Sequence, residues 1–106
     1  MGLDFSHCPT HWTYHGFHDF RIRLAKLIGV DFEKDDTTNL DDPIAPLLNH
    51  SDCDGELSPE ECRLVAPRLR ELAYAWSPDD PDRQSAFEMA VGMQLAAAEN
   101  EPFVFW

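Results

Sequence analysis

Twelve consecutive residues, His50 to Glu61, carry oxygen donors at a spacing that suits a hard divalent cation. With Gly55 at the sixth position, side-chain oxygens fall at the third (Asp52), fifth (Asp54), ninth (Ser58) and twelfth (Glu61). Glu56, the seventh, offers its backbone carbonyl, and Leu57, the eighth, is apolar. Calcium takes six to eight oxygens at roughly 2.3–2.6 Å; a glycine makes the sharp turn, and a bidentate glutamate closes the cage. His50 occupies the first position, where a carboxylate is usual. An ion there would meet water or the backbone carbonyl of His50 instead.

Beyond Glu61 the apolar residues Cys62, Val65, Ala66 and Leu69 keep the spacing of a helix leaving the loop. On the entering side Pro43 and Pro46 leave room for only a turn or two of helix. The segment 50–61 with its exiting helix resembles an EF-hand calcium loop. The resemblance is to the single, half-framed loops of bacterial extracellular modules rather than to paired helix–loop–helix sensors. It implies calcium as cofactor, with the metal serving structure, and His50, Asp52, Asp54, Glu56, Ser58 and Glu61 as the metal-site residues. A metal-free alternative uses the same residues. Ser58 can cap a helix whose first residue is Pro59, Glu61 can return the capping-box bond, and Asp52 to Gly55 can be a tight acidic turn. A wider resemblance rests on residues 43–72, on Trp12 to Phe17, and on Gly92-Met93 and Glu101-Pro102. These resemble small acidic proteins of unknown function from actinobacteria and their phages. That resemblance implies a bacterial or phage cytoplasmic setting and carries no activity.

Two softer donor sets offer zinc instead. His7, His11 and His15 recur every four residues, and His15 and His18 are three apart, beside Cys8. On one helix face neutral imidazoles would converge on zinc or nickel. Pro9 and Gly16 argue against a continuous helix there, so these histidines are expected singly, in a loop and at a helix entry. His50, Cys53 and Cys62 form the second set, but their spacing matches no common zinc ribbon or finger. Cys62 also falls where a buried thiol behaves as a small hydrophobe. For catalysis the sequence holds no nucleophile elbow, phosphate-binding glycine loop or paired catalytic motif. Trp12, Tyr14, Trp76 and Trp106 read as core aromatics before they read as a pocket.

The elements that must position these residues follow from periodicity and breakers. Leu3 to Phe5 is expected as a short strand and Gly16 to Ile28 as a first helix. That helix has Phe17, Phe20, Leu24, Leu27 and Ile28 on its apolar face and Gly29 at its end. Val30 to Leu40 is an acidic loop, and Pro43 to Leu48 a short helical turn. A second long helix runs from Pro59 towards Trp76, with Pro67 kinking or dividing it. Asp80 caps the last helix and Pro81 opens it. It reaches about Ala98, with Ala86, Phe87, Ala90, Val91, Gln94 and Ala97 or Ala98 on one side. Phe103 to Trp106 is expected as a terminal strand that pairs with Leu3 to Phe5. The fold class is therefore α+β and mostly helical: three helices with a small two- or three-stranded sheet joining the chain ends, in one domain over residues 1–106.

Composition sets the outer limits. Apolar residues make up 43% of the 106, enough for a modest core. No run of eighteen apolar residues occurs, so a membrane span is not expected, and the N-terminus has no signal-peptide pattern. Three cysteines do not form a disulfide framework, which points to a reduced, cytoplasmic chain. Twenty acidic residues against eight basic ones give a net charge of −12. Six carboxylates lie between Asp31 and Asp42, five between Asp52 and Glu61, and three between Asp79 and Asp82. Such a surface repels nucleic acid and anionic membrane and attracts cations or a basic protein surface. Arg21, Arg23 and Lys26, and then Arg63, Arg68 and Arg70, are clustered as internal counter-charges. The leading expectation is a small acidic, non-enzymatic domain with one metal-binding loop. The alternatives are an acidic, phage-type inhibitor that mimics nucleic acid and binds a basic protein, and a zinc module or zinc enzyme.

Overall fold

A computed structural model describes residues 2–8, 11–32, 34, 41–49 and 55–105. Its elements run β1 (Gly2–Asp4), β2 (His11–Thr13), α1 (Tyr14–Leu27), α2 (Ala45–Leu48), β3 (Gly55–Leu57), α3 (Pro59–Ala73), α4 (Pro81–Ala98) and β4 (Phe103–Phe105). The α+β, mostly helical class expected from periodicity is the class observed, with the single turn of α2 as a fourth, short helix.

Each long helix begins where a short polar side chain can bond a free backbone N–H. Thr13 caps α1 by accepting from the Gly16 N–H at 2.9 Å, so α1 starts two residues before the expected Gly16. Asp80 caps α4 by accepting from the Asp82 N–H at 3.0 Å, with Pro81 first inside. Helix α3 passes through Pro67 undivided. Pro67 is exposed, so the Arg63 carbonyl that loses its helical donor there lies on the solvent side of the helix.

One continuous core joins the four helices, β3 and β4, with Trp12 of β2 packed against it. Phe17, Phe20 and Leu24 of α1, Cys62, Val65, Ala66 and Leu69 of α3, and Ala86, Met89, Ala90 and Met93 of α4 are all fully buried. The buried face of α4 is rotated from the expected one: Val91, Gln94 and Leu95 are exposed, and Met89, Met93 and Ala96 point inward. Alanine and glycine are spread around this helix, so apolar periodicity identifies its buried side poorly. On α1, Leu27 is likewise exposed, and Ala25 and Arg21 take up the interior. The Arg21 guanidinium lies over the Phe17 and Phe32 rings, at 4.8 and 5.2 Å.

The strands pair differently from expectation. Leu3 pairs with Trp12 in the β1–β2 hairpin, and β4 pairs with β3 in antiparallel register, Leu57 opposite Phe103 and Gly55 opposite Phe105. Among the described residues, backbone pairing between the two chain ends is the isolated Phe5–Phe105 bridge, flanked by two bonds at Ser6. The Ser6 N–H donates to the Val104 carbonyl at 2.9 Å, and the Val104 N–H donates to Ser6 Oγ at 3.0 Å. Strand β4 is therefore held by β3 on one edge and by the residues after β1 on the other. Phe5, Phe17, Phe103 and Phe105 pack as an aromatic cluster beneath it, with centroids 4.9–6.0 Å apart. Trp106 and residues 35–40 of the expected acidic loop lie outside the described residues.

Candidate metal centre

The exiting half of segment 50–61 is well defined. Gly55 has φ +126°, a conformation that only glycine adopts readily, and it stands at the sixth position of the loop. Leu57, the eighth, is 1% exposed and turns into the core opposite Phe103, so the loop's exit is anchored on β4. Ser58, the ninth, is the N-cap of α3, and Pro59 opens the helix. Glu61, the twelfth, lies in the first turn. Ser58 Oγ accepts from the Glu61 N–H at 3.1 Å, and Glu61 Oε1 accepts from the Ser58 N–H at 2.9 Å. This reciprocal pair satisfies two backbone donors that the helix itself cannot, and it places the Glu60 and Glu61 charges at the positive end of α3.

The expected metal residues divide into two groups. Glu56, Ser58 and Glu61 fall in consecutive strand, cap and first-turn positions, and Glu56 is exposed on β3. His50, Asp52 and Asp54 lie outside the described residues, as does Cys53 of the softer donor set. Of that softer set, Cys62 is fully buried and its thiol donates to the Leu57 carbonyl at 3.8 Å. Burial pushes this thiol up to about 11, so it stays protonated and packs as a small apolar group at neutral pH.

The loop's entering side is fixed by an ion pair. Asp42 precedes α2 and accepts from Arg68 of α3 through both oxygens, Nε to Oδ1 and an Nη to Oδ2, each at 3.0 Å. Oδ1 also accepts from the Ile44 N–H at 3.0 Å. Burial pushes the carboxyl of Asp42 upward, but the Arg68 hydrogen bonds and charge with the Ile44 N–H outweigh it and hold the group below its ordinary value. At the start of α4 the Asp80 and Asp82 carboxylates bind Arg23 in the same way, and Arg23 also lies over the Trp76 ring at 4.4 Å. Arg23 and Arg68 thus pair with carboxylates next to helix starts, whereas Arg63 donates to the Ala97 carbonyl and Arg70 to Gln94 Oε1.

The N-terminal histidines do not share a helix face. His7 follows β1, His11 is in β2, and only His15 and His18 are in α1. The helix begins after the Thr13 cap, so four-residue spacing before it carries no helical meaning. His11 Nδ1 lies 2.7 Å from Asp4 Oδ1 across the hairpin, and His18 meets the edge of Phe32. His7 turns instead to Glu101, near the other end of the chain. Sequence reasoning missed this partner. Asn100 was the available signal: it stands just past the helix with φ +57°, where a left-handed residue ends a helix and reverses the chain.

Comparison with protein-family models, curated proteins and solved structures gave no match.

Proposed function

We propose that this chain is a small acidic, non-enzymatic domain in which segment 50–61 binds calcium as a structural element. One observation carries the reading: four described positions hold the register that a calcium loop needs. Glycine is in a positive-φ conformation at the sixth, a buried leucine is at the eighth, a helix cap is at the ninth, and a glutamate is in the first helical turn at the twelfth. Ser58 Oγ keeps a second lone pair and Glu61 keeps Oε2 for an ion, and bidentate closure draws Oε1 from the cap. Affinity is weak, about 10⁻⁴ M or poorer, because the first carboxylate is missing. Cys62, buried and in no disulfide, fits a reduced, cytoplasmic setting. Among the described residues no helix is long and apolar enough to cross a membrane.

The complete capping box favours a second reading. In it the loop is a metal-free cap, and the acidic surface binds a basic protein. The variant His50→Asp separates the two. A calcium loop regains its first carboxylate, binds about tenfold tighter or better by calorimetry, and melts higher in calcium than in chelator. A metal-free turn gains only a repelling charge and melts slightly lower in both. Identical melting temperatures of this variant in excess calcium and in chelator would remove the calcium reading and leave the acidic binding protein.

A further inference from the structure

We propose a second, separate site, for a zinc-type first-row divalent ion, formed by His7, Glu99 and Glu101, where the two ends of the chain meet. One imidazole nitrogen and one oxygen from each carboxylate lie within 4.8 Å of one another, on residues 92 and 94 positions apart in the chain from His7. His7 Nε2 is already 3.2 Å from Glu101 Oε1. Tetrahedral zinc with ligands at roughly 2.0–2.1 Å sets neighbouring donor atoms about 3.3 Å apart, so this pair needs almost no movement. The carboxylate of Glu99 needs only a rotamer adjustment, and Glu99 and Glu101 are exposed. One imidazole and two carboxylates leave a fourth position to water, a donor set that suits zinc, and cobalt as its spectroscopic substitute.

The fold builds this arrangement from both sides. Helix α4 ends in a Schellman turn, with the Asn100 N–H bonded to the Ala97 carbonyl at 3.0 Å and the Glu101 N–H to the Ala96 carbonyl at 2.8 Å. Asn100 takes the left-handed conformation, and the reversal brings the Glu99 and Glu101 side chains together. Two carboxylates held this close repel each other, and a cation between them relieves that repulsion. The imidazole is oriented independently. Its Nδ1 lies 2.5 Å from Ser6 Oγ, which the Val104 N–H holds at 3.0 Å, and its ring stacks on Phe103 with centroids 6.2 Å apart. A metal on Nε2 requires the proton on Nδ1, and Ser6 Oγ is placed to accept it. A ligating histidine uses its other nitrogen in this way. An ion here ties the residues after β1 to those before β4 and stabilises the folded chain by mass action.

The test is zinc titration, followed by calorimetry and melting, with calcium in excess so that segment 50–61 does not contribute. The wild type should melt higher in zinc than in chelator, and its cobalt form should show the visible bands of a low-symmetry site with nitrogen and oxygen ligands. Glu99→Gln and Glu101→Gln lie on the surface and should fold unchanged, yet each should weaken zinc binding at least tenfold. His7→Gln should abolish the cobalt bands, and nitrogen-edited NMR of the wild type should show coordination through Nε2 with Nδ1 protonated. His11→Gln and His50→Asp should leave zinc binding as it was. The proposal is overturned if the wild type binds no zinc, or if zinc binding survives Glu99→Gln and Glu101→Gln together. It is equally overturned if His11→Gln lowers the affinity as much as His7→Gln. None of these outcomes bears on calcium binding at segment 50–61, which His50→Asp tests by itself.

Discussion

The two candidate ion sites lie on opposite edges of one strand and are built in opposite ways. Segment 50–61 draws its donors from twelve consecutive residues and reaches β4 through β3. The His7 cluster draws its donors from the two ends of the chain and reaches β4 through Ser6. A local site depends on turn and cap geometry and costs little chain entropy to assemble. A site closed over ninety residues exists only once the core has brought both ends together. The first should therefore respond to changes at the start of α3, and the second to changes in packing between α4, β4 and the residues after β1.

Their common dependence on β4 gives the largest expected effect. Phe103 is fully buried, stacks on Phe5 at 5.5 Å and on His7, and pairs with Leu57 through the backbone. Phe103→Ala should cost about 3–5 kcal/mol in urea unfolding, as large-to-small changes of buried aromatics do. It should weaken calcium and zinc binding together. A variant that lost stability but kept either site intact would show that β4 does not link them.

Gly92→Ala separates the sites. A methyl at Gly92 would lie 2.9 Å from Cys8 Cβ and 3.0 Å from both the His7 carbonyl oxygen and Phe103 Cε1. Backbone and β-carbon cannot move aside as a flexible side chain can, so the segment carrying His7 must shift off α4. Overpacking costs about 1–3 kcal/mol, and alanine's better helix propensity returns up to about 1 kcal/mol of it. The expected result is a modest net loss of stability with zinc binding reduced and calcium binding unchanged. Equal loss at both sites would contradict the separation.

This contrast also explains what the sequence revealed and what it concealed. Ser58, Pro59 and Glu61 were legible because a cap, a first helical proline and a capping-box glutamate act within four residues of one another. Asp80 and Pro81 were legible for the same reason. The buried face of α4 was not, because small residues on every side blur the pattern, and the core uses Met89 and Met93 where periodicity favoured Val91 and Gln94. The pairing of β3 with β4 was concealed too. Gly-Glu-Leu has no strand alternation of its own, and its extended form depends on Phe103 to Phe105 arriving beside it. His7 and Glu101 were both visible, and Asn100 marked the reversal that carries Glu101, but only the folded core sets that reversal beside His7.

Ser58→Ala sharpens the local side of the comparison. Losing the hydroxyl leaves the Glu61 N–H without its cap acceptor, at about 1 kcal/mol. If calcium uses the same oxygen, the variant should also bind calcium more weakly, while zinc binding should not change. Loss of stability with calcium binding intact would mean that Ser58 serves the helix alone.

The smallest expected effect concerns acid, and it tests whether α2 supports the loop from its entering side. Asp42 joins the residues before α2 to Arg68 of α3 and is held below its ordinary value in the folded protein. A carboxyl group with a lowered folded-state value contributes stability that is fully present above its unfolded value. That contribution is lost as pH falls through the folded one. Acidification from neutral pH should thus leave the pair intact until below the ordinary aspartate range, near pH 3.9 in reference peptides, with melting falling only beyond it. Asp42→Asn should cost about 1 kcal/mol at neutral pH, since the pair is partly exposed and two of its three bonds come from a charged partner. The same variant should flatten the acid limb of the stability curve and lower calcium affinity slightly by loosening the entrance to segment 50–61. Zinc binding at the chain ends should be untouched at neutral pH. An acid limb that is the same in Asp42→Asn as in the wild type would place the acid sensitivity elsewhere. It would also remove the Asp42–Arg68 pair from the supports of the loop.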